Sequence, residues 1–395
     1  MTDIDWRNRA ADLAERLGGA SVLERVLISF AALLMSIFIG GIIVLLAGLA
    51  ANCDSPFLST PIGRFCYNPI EVYTLLFRGA IATEFNLSVT LAQTTLLAIT
   101  GVSVAIAFKA GLFNIGGQGQ LVLGGLAGAQ VVVWTVPYAP TGLAGSVILI
   151  PLALLVAAVV GAIWAIIPGI LLAYRDANEV ITTIMLNFIA AGIAFVAVKG
   201  FLKPPDTQQV RTSQIPEYAQ LRPILFLEAA DFSIVALGLV IALCIGIHWM
   251  LKQTAFGFDI LASGTQAEAA EYSGIDSKRI VITTMSISGA IAGIAGIVYV
   301  LMIPTFWQTF VPSLGFDGIT VSILAGNNPL GVLPAAFLFG VLKSGSQLID
   351  FSLGVPRQLV GVLRALIILF VAMPEFFRMG VRRWGWFLPK RSVRQ

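Results

Sequence analysis

Ten apolar segments, most of them about as long as a bilayer is thick, constrain this chain more than any other feature. They are 26–50, 86–108, 120–136, 146–173, 180–199, 232–251, 280–302, a short one at 317–326, 332–349 and 355–373. A helix needs roughly 20 apolar residues to cross the hydrocarbon core. Lipid offers no partner to a backbone N–H or C=O, so apolar runs of this length must close their hydrogen bonds internally, as helices. The expected fold is all-α: a polytopic membrane protein of about ten transmembrane helices, one or more of them broken or re-entrant. With 57% hydrophobic and 11% charged residues, against about 25% charged in soluble domains, the chain has too little polar surface for a water-soluble globule.

An even number of spans puts both ends on one side of the membrane. Arg7, Arg9, Arg16 and Arg25 at one end, and Arg378, Arg382, Arg383, Lys390, Arg391 and Arg394 at the other, place that side in the cytoplasm. The polar segments 51–85 and 200–231 then lie outside. Three regions follow: a cytoplasmic segment 1–25, in which Trp6, Ala10, Leu13 and Leu17 recur at helical spacing among arginines; a transmembrane domain 26–375; and a basic cytoplasmic tail 376–395. The apolar run 26–50 exceeds the roughly 7–15 residues of a signal-peptide core and is expected to be retained. Asn52 before Cys53 is not the small residue of a lipoprotein cleavage site. Cys53 and Cys66 share an external loop, where oxidising conditions permit a disulfide and two free thiols are equally compatible. A net charge of +3, most of it at the ends, speaks to orientation and gives no nucleic-acid footprint.

The run GLFNIGGQGQ, 111–120, interrupts this pattern with glycines and amides at membrane depth. Irregular backbone survives there only when protein or a water-filled cavity surrounds it, which marks a transport path. Together with AIAFKA before it, ANEVITTIMLNFIA from Ala177, AAEYSGIDSKRI from Ala269 and GFDGITVSILAGNNPLG from Gly315, the run resembles the membrane permease of nucleoside and simple-sugar ABC importers, in the branched-chain amino acid/ribose permease superfamily. The resemblance spans roughly residues 70–375. Two departures are visible: relatives usually carry a glutamate where this chain has Gln118, and an Asn-Pro where it reads Thr265, Gln266, Ala267.

The resemblance implies a transport subunit of a bacterial inner-membrane importer that works by alternating access. It implies as partners an ATPase subunit, a second and shorter permease forming a heterodimer with this one, and an external substrate-binding lipoprotein. No GxxxxGK[ST] loop is present, so ATP is expected to be used by the partner and no cofactor to be bound here. The segment 252–279 is the expected coupling loop to that ATPase. In it Gly264, Ala269, Ala270 and Gly274 would allow close approach, and Glu268, Glu271 and Asp276 would meet basic groups; without the family it reads as a solvated charged loop.

Polar residues inside apolar spans are costly and become candidates for the path. Gln93, Asn114, Gln118, Gln120 and Asn187 are amides, which donate and accept, and so suit a neutral polyhydroxylated solute. Asp317, between Gly315 and Gly318 ahead of a span too short to cross, belongs with them, because broken helices present free termini to a solute. Asn178 and Glu179 match an N-cap and a first-turn acid. Lys343, Gln347 and Asp350 form one polar stripe, and Arg364 lies in the last span; snorkelling or pairing explains them. The glycine pairs 124/128 and 289/293 have the spacing of tight helix packing. His248 is the single histidine and no CxxC pair exists, so no metal site is expected. Sugar or branched-chain amino-acid transport are the alternatives within the class, and an ion-coupled secondary transporter, with Glu179 and Asp317 as its carboxylates, is the alternative outside it.

Overall fold

The computed structural model describes residues 22–372, apart from 52, 54, 55, 62, 225–230 and 354. The expected N-terminal surface helix, up to residue 21, and the basic tail, from residue 373, lie outside the described residues. Helices appear at every expected span, and two compact units are distinguished: Met1–Thr74 with Ile349–Gln395, and Leu75–Leu348.

In the first unit, α1 (Val22–Ala50) packs against the helix Arg357–Ala372. Ser36, Gly40, Val44 and Gly48, every fourth residue, are buried on α1, and this small-residue stripe allows close approach. Tyr73 donates its hydroxyl to the Ile37 carbonyl at 3.0 Å beside Gly40. The external loop contains a short hairpin, β1 (Leu58–Thr60) with β2 (Gly63–Phe65), paired antiparallel with Ser59 opposite Arg64. Cys66 is disulfide-bonded to Cys53, and its N–H returns to the Gly48 carbonyl at 3.0 Å.

Within the polar segment 51–85, expected to lie outside the membrane, Pro69–Ile81 forms a helix, α2. Val72, Leu76 and Ala80 recur at i, i+4 and i+8 and are buried, a stripe too short to register as a span. The chain continues with α3 (Glu84–Lys109), α4 (Gly117–Thr135), α5 (Leu143–Arg175), α6 (Glu179–Ala197), α7 (Ile234–Gln253), α8 (Ala255–Thr265), α9 (Ala267–Tyr272), α10 (Ser277–Met302) and α11 (Leu314–Leu324), all in the second unit, and α12 (Val332–Leu353), which like α2 runs across the division; the helix Arg357–Ala372 of the first unit is α13.

Two helices form the interior of the second unit. The most apolar windows of α3 and α10 are 83% and 78% buried, against 22% for each of α5, α6 and α7. An apolar helix buried on all sides is central, and one buried on a single stripe faces lipid. The buried hydroxyls of α3 do not disturb it, since Thr94 and Thr95 donate to the carbonyls four residues back, at 2.7 and 2.8 Å. At 33 residues α5 is roughly 50 Å long, more than the hydrocarbon core requires.

Glycine fixes the packing of α4, α5 and α10. Along α5, Ala153, Ala157, Gly161 and Ala165 are buried at every fourth position. A Cβ at Gly293 or Gly289 of α10 would collide with the carbonyls of Ala157 or Gly161, and one at Gly124 of α4 would lie 2.9 Å from the Ala157 carbonyl. The expected packing role of these glycines is therefore what the structure shows. Outside the helices, 211–221 runs back along 301–308: Thr212 N–H donates to the Trp307 carbonyl at 3.0 Å and Ile215 N–H to Thr305 at 2.9 Å.

Candidate functional site: two broken helices meeting at an amide frame

Helix α3 stops at Lys109, and Gly111, at φ +71°, turns the chain into an irregular stretch before α4 begins at Gly117. A second irregular stretch precedes α11, whose first residue is Leu314. The structure brings these two stretches into backbone contact. A Cβ at Gly315 would lie 2.6 Å from the Gln118 Cα and 2.8 Å from the Gly117 carbonyl carbon, so glycine is required there for the approach.

Each helix start leaves unpaired N–H groups that must find acceptors. Neither Gly116 nor Ser313, the cap residues, supplies a side-chain acceptor. Acceptors come from elsewhere in the chain. Asn187 of α6 accepts from Gly119 N–H at 2.7 Å and donates to the Ile115 carbonyl at 3.0 Å, so it caps α4 from a distance. Gln118 of α4 accepts from Gly315 N–H at 2.9 Å and donates to the Pro312 carbonyl at 2.9 Å, so it caps α11 in the same manner. An amide serves in both places because each site needs one acceptor and one donor. Here lies the consequence of the departure noted at position 118: an ionised glutamate could not make the bond to Pro312.

Asn114 completes the first stretch. Its Oδ1 accepts from Gly116 N–H at 3.1 Å and from Gln120 Nε2 at 3.0 Å, while its Nδ2 donates to Gln120 Oε1 at 3.0 Å and to Ser288 Oγ at 2.8 Å. Ser288 of α10 and Ser103 of α3 exchange hydroxyl-to-carbonyl bonds, both 2.7 Å. The irregular stretch is thereby tied to both central helices. Sequence reasoning missed both serines, and no signal marks them, because a serine in a helix more often bonds back to its own turn.

The remaining candidates are placed differently. Asp317 pairs with Lys343 of α12 at 2.8 Å in the first turn of α11, where a carboxylate also complements the helix dipole. Gln93 lies ten residues from Ser103, roughly 15 Å along α3, and its Oε1 is buried without a hydrogen-bond partner; it is not part of the frame. Asn178 caps α6, accepting from Val180 and Ile181 N–H at 3.0 and 3.1 Å. The side chains of Gln347, Asp350 and Arg364 lie outside the described residues. Two helix N-termini converge at Gln118 and Gly315, so the junction is a region of positive backbone potential lined by neutral amides. The N–H groups of Leu314 to Asp317 are all bonded within the chain, so what the junction presents is the potential of its helix termini.

The segment expected to meet an ATPase is helical and is joined to the frame. Ala270 is only 4% exposed, so its small size serves packing within the chain. Gly264 lies against the backbone at the end of α3, where a Cβ would come within 2.9 Å of the Ala110 Cα, and a Cβ at Gly111 would come within 3.3 Å of the Gly264 carbonyl. Ile260 of α8, Ala110 and Leu112 share one buried cluster with Ile280 and Met285 of α10. Asp276 caps α10, accepting from Arg279 N–H at 3.1 Å. The outward face carries Glu268, Glu271 and Gly274, all exposed, and Tyr272, which is 95% exposed.

Residues 86–372 match the family described as branched-chain amino acid transport system / permease component. Among curated proteins, the chain is 35% identical to the guanosine ABC transporter permease protein NupP of Bacillus subtilis, over 89% of this chain and 94% of that one. It is 36% identical to the nucleoside ABC transporter permease protein NupB of Lactococcus lactis, over 78% and 85%. It is 32% identical to the glucose ABC transporter permease protein TsgB13 of Haloferax volcanii, over 79% and 82%. With its apolar helices, its broken α4 and α11 and these matches over most of its length, the chain belongs to the branched-chain amino acid transport system permease family.

Proposed function

We propose that this protein is the permease subunit of an ABC importer that carries nucleosides across a bacterial inner membrane, both termini lying in the cytoplasm. The observation that carries the reading is the junction of α4 and α11, braced by the neutral amides of Asn114, Gln118, Gln120 and Asn187 and carrying no unpaired charge, since Asp317 is paired with Lys343. A zwitterionic amino acid would call for charged partners or helix termini; the converging termini could meet its carboxylate, but its ammonium would need an anion, and the Asp317 carboxylate is already paired with Lys343, whereas hydroxyls and a neutral base need no such partner. Relatives named for guanosine and nucleosides support the same substrate. The disulfide of Cys53 with Cys66 supports placing that loop on the oxidising face.

Transport in this reading is alternating access. An ATPase subunit engages α9, and its movement passes through the Gly264 to Gly111 contact into the braced stretch ahead of α4. Gln118 then carries it to α11. A second, shorter permease and an external binding lipoprotein complete the assembly, and ATP is hydrolysed by the partner alone.

Uptake of labelled guanosine, glucose, ribose and leucine in cells lacking the gene tests the substrate. Loss of guanosine uptake is expected; intact guanosine uptake with loss of glucose or ribose uptake would move the assignment to sugars, as the Haloferax relative suggests. Tyr272→Ala removes the exposed aromatic at the tip of α9 and is expected to lower transport about tenfold, as loss of a buried aromatic anchor does at interfaces, while the permease still folds. Normal transport in that variant would place the docking surface elsewhere.

A further inference from the structure

A cavity of about 530 Å³ opens between the end of α6, residues 209–210 and the segment 308–310 leading into α11. We propose that it is an outer receiving site for the planar base of a nucleoside, an inference that rests on the nucleoside reading above and adds a place and a mode of recognition to it. Its volume falls in the roughly 300–1,000 Å³ range of small-molecule sites.

The lining chemistry is specific. Phe195 and Phe310 contribute rings, Gln209 and Gln308 contribute amides, and Thr309 contributes a hydroxyl. No lining residue is ionisable. Rings stack on the π face of any base, and amides pair with base edges that both donate and accept. A sugar could lay a C–H face on one ring but has no flat base edge for the amides, and an amino acid would find no counter-charge. Two cations lie close by: Lys199 sits 5.5 Å from the centre of the Phe195 ring, which leaves a base the other face of that ring and the whole of Phe310, and Arg211 sits 4.6 Å from the centre of the Phe306 ring.

The cavity stands directly on the frame. Ala191, which also lines it, is one helical turn beyond Asn187, the residue that caps α4. Residues 308–310 run into Pro312, whose carbonyl Gln118 holds. The wall built on the 301–308 segment is rigid, because Arg211 bridges to Gln308, Trp307 N–H donates to Thr212 Oγ1 at 3.0 Å, and the Trp307 indole donates to the Val122 carbonyl at 3.1 Å. Phe310, by contrast, is 90% exposed. A firm amide-bearing wall faced by an uncovered ring can take up a flat solute and deliver it to the junction of the broken helices.

The test uses the complete transporter in proteoliposomes, with its external binding protein kept saturated with labelled guanosine, so that the initial import rate reports transfer through the permease. Wild-type import of guanosine is the first readout. The double variant Phe195→Leu with Phe310→Leu is expected to import guanosine about tenfold more slowly, while the pair Phe195→Tyr with Phe310→Tyr, which keeps both rings, stays within about twofold of wild type. Copurification with the ATPase subunit reports that each variant has assembled. Import by the leucine variant within twofold of wild type, or tyrosine variants as slow as leucine ones, would overturn the site while leaving nucleoside transport standing. A wild-type transporter that imports ribose or leucine and no guanosine would instead overturn the nucleoside reading, and the site with it.

Discussion

The two irregular stretches that meet at the centre of the second unit are held in very different ways. The stretch before α4 is braced from several elements: by Asn187 of α6, by Gln120 of α4, by Ser288 of α10 through Asn114, and by the backbone of α8 at Gly264. Of the stretch before α11, residues 305–308 are tied to 211–215 and to Val122, whereas its last residues, 309–313, are held to other helices by the single side chain of Gln118 and, one turn on, by the pair of Asp317 with Lys343. Stability is distributed unevenly in proteins, and elements that move are drawn from the weakly held end. The stretch before α4 is thus the more firmly held of the two, and 309–313 the more weakly held.

Three substitutions probe this contrast, in descending order of effect. Asn114→Leu strips partners from Gly116 N–H, from both ends of the Gln120 amide and from Ser288. Each buried group so orphaned costs about 1–3 kcal/mol, so the purified protein should lose several kcal/mol of stability, read as a much lower apparent Tm in detergent. An unchanged Tm would show that the first stretch is not the rigid one. Gln118→Leu orphans one N–H and one carbonyl at the edge of the frame. Its Tm should fall less than that of Asn114→Leu, while transport falls several-fold because α11 is no longer tied to α4; Gln118→Glu, which keeps the acceptor and loses the donor, should lie between. A Gln118→Leu permease that transports normally would remove this residue as the link. Lys343→Met should have the smallest effect, since the pair is partly solvated, with side chains 20% and 27% exposed, and such pairs contribute on the order of 1 kcal/mol or less. A double-mutant cycle with Asp317→Asn isolates the pair, and a coupling as large as the Asn114 effect would make the second stretch as firmly held as the first.

Much of the architecture was legible in residue order. Apolar length placed a helix at each expected segment, because a continuous apolar run closes its backbone hydrogen bonds within itself, although among the described residues only six helices are long and apolar enough to cross a membrane; the stretch 111–120 announced its irregularity through glycines and amides that lipid cannot serve. The glycine spacing in α4 and α10 was equally readable, since a missing Cβ has one use between packed helices. The amphipathic α2 escaped notice because a three-residue apolar stripe is lost in a loop rich in polar residues. Asn114, Gln118 and Asn187 were recognisable as polar groups needing partners at membrane depth.

Which partners they took was decided only by the tertiary structure. An amide can bond a solute, a water, a side chain or a backbone group with similar energy, and the choice depends on what lies within about 3 Å once the helices have packed. Here helix starts lacking their own caps lay within that reach, so Asn187 and Gln118 bonded backbone, and Ser103 and Ser288, unremarkable in sequence, became the joint between the two central helices. The same holds for Ala270 and Gly264, whose small side chains fitted them to close approach in principle. Folding set Gly264 against the end of α3 and buried Ala270 within the chain, and left Tyr272 at the surface. Order along the chain therefore determined the membrane-spanning helices and where they break, because those follow from hydropathy and backbone chemistry within a few residues. The joining of the two breaks, 197 residues apart at Gln118 and Gly315, was settled by helix packing alone, because no local property of either stretch specifies the other.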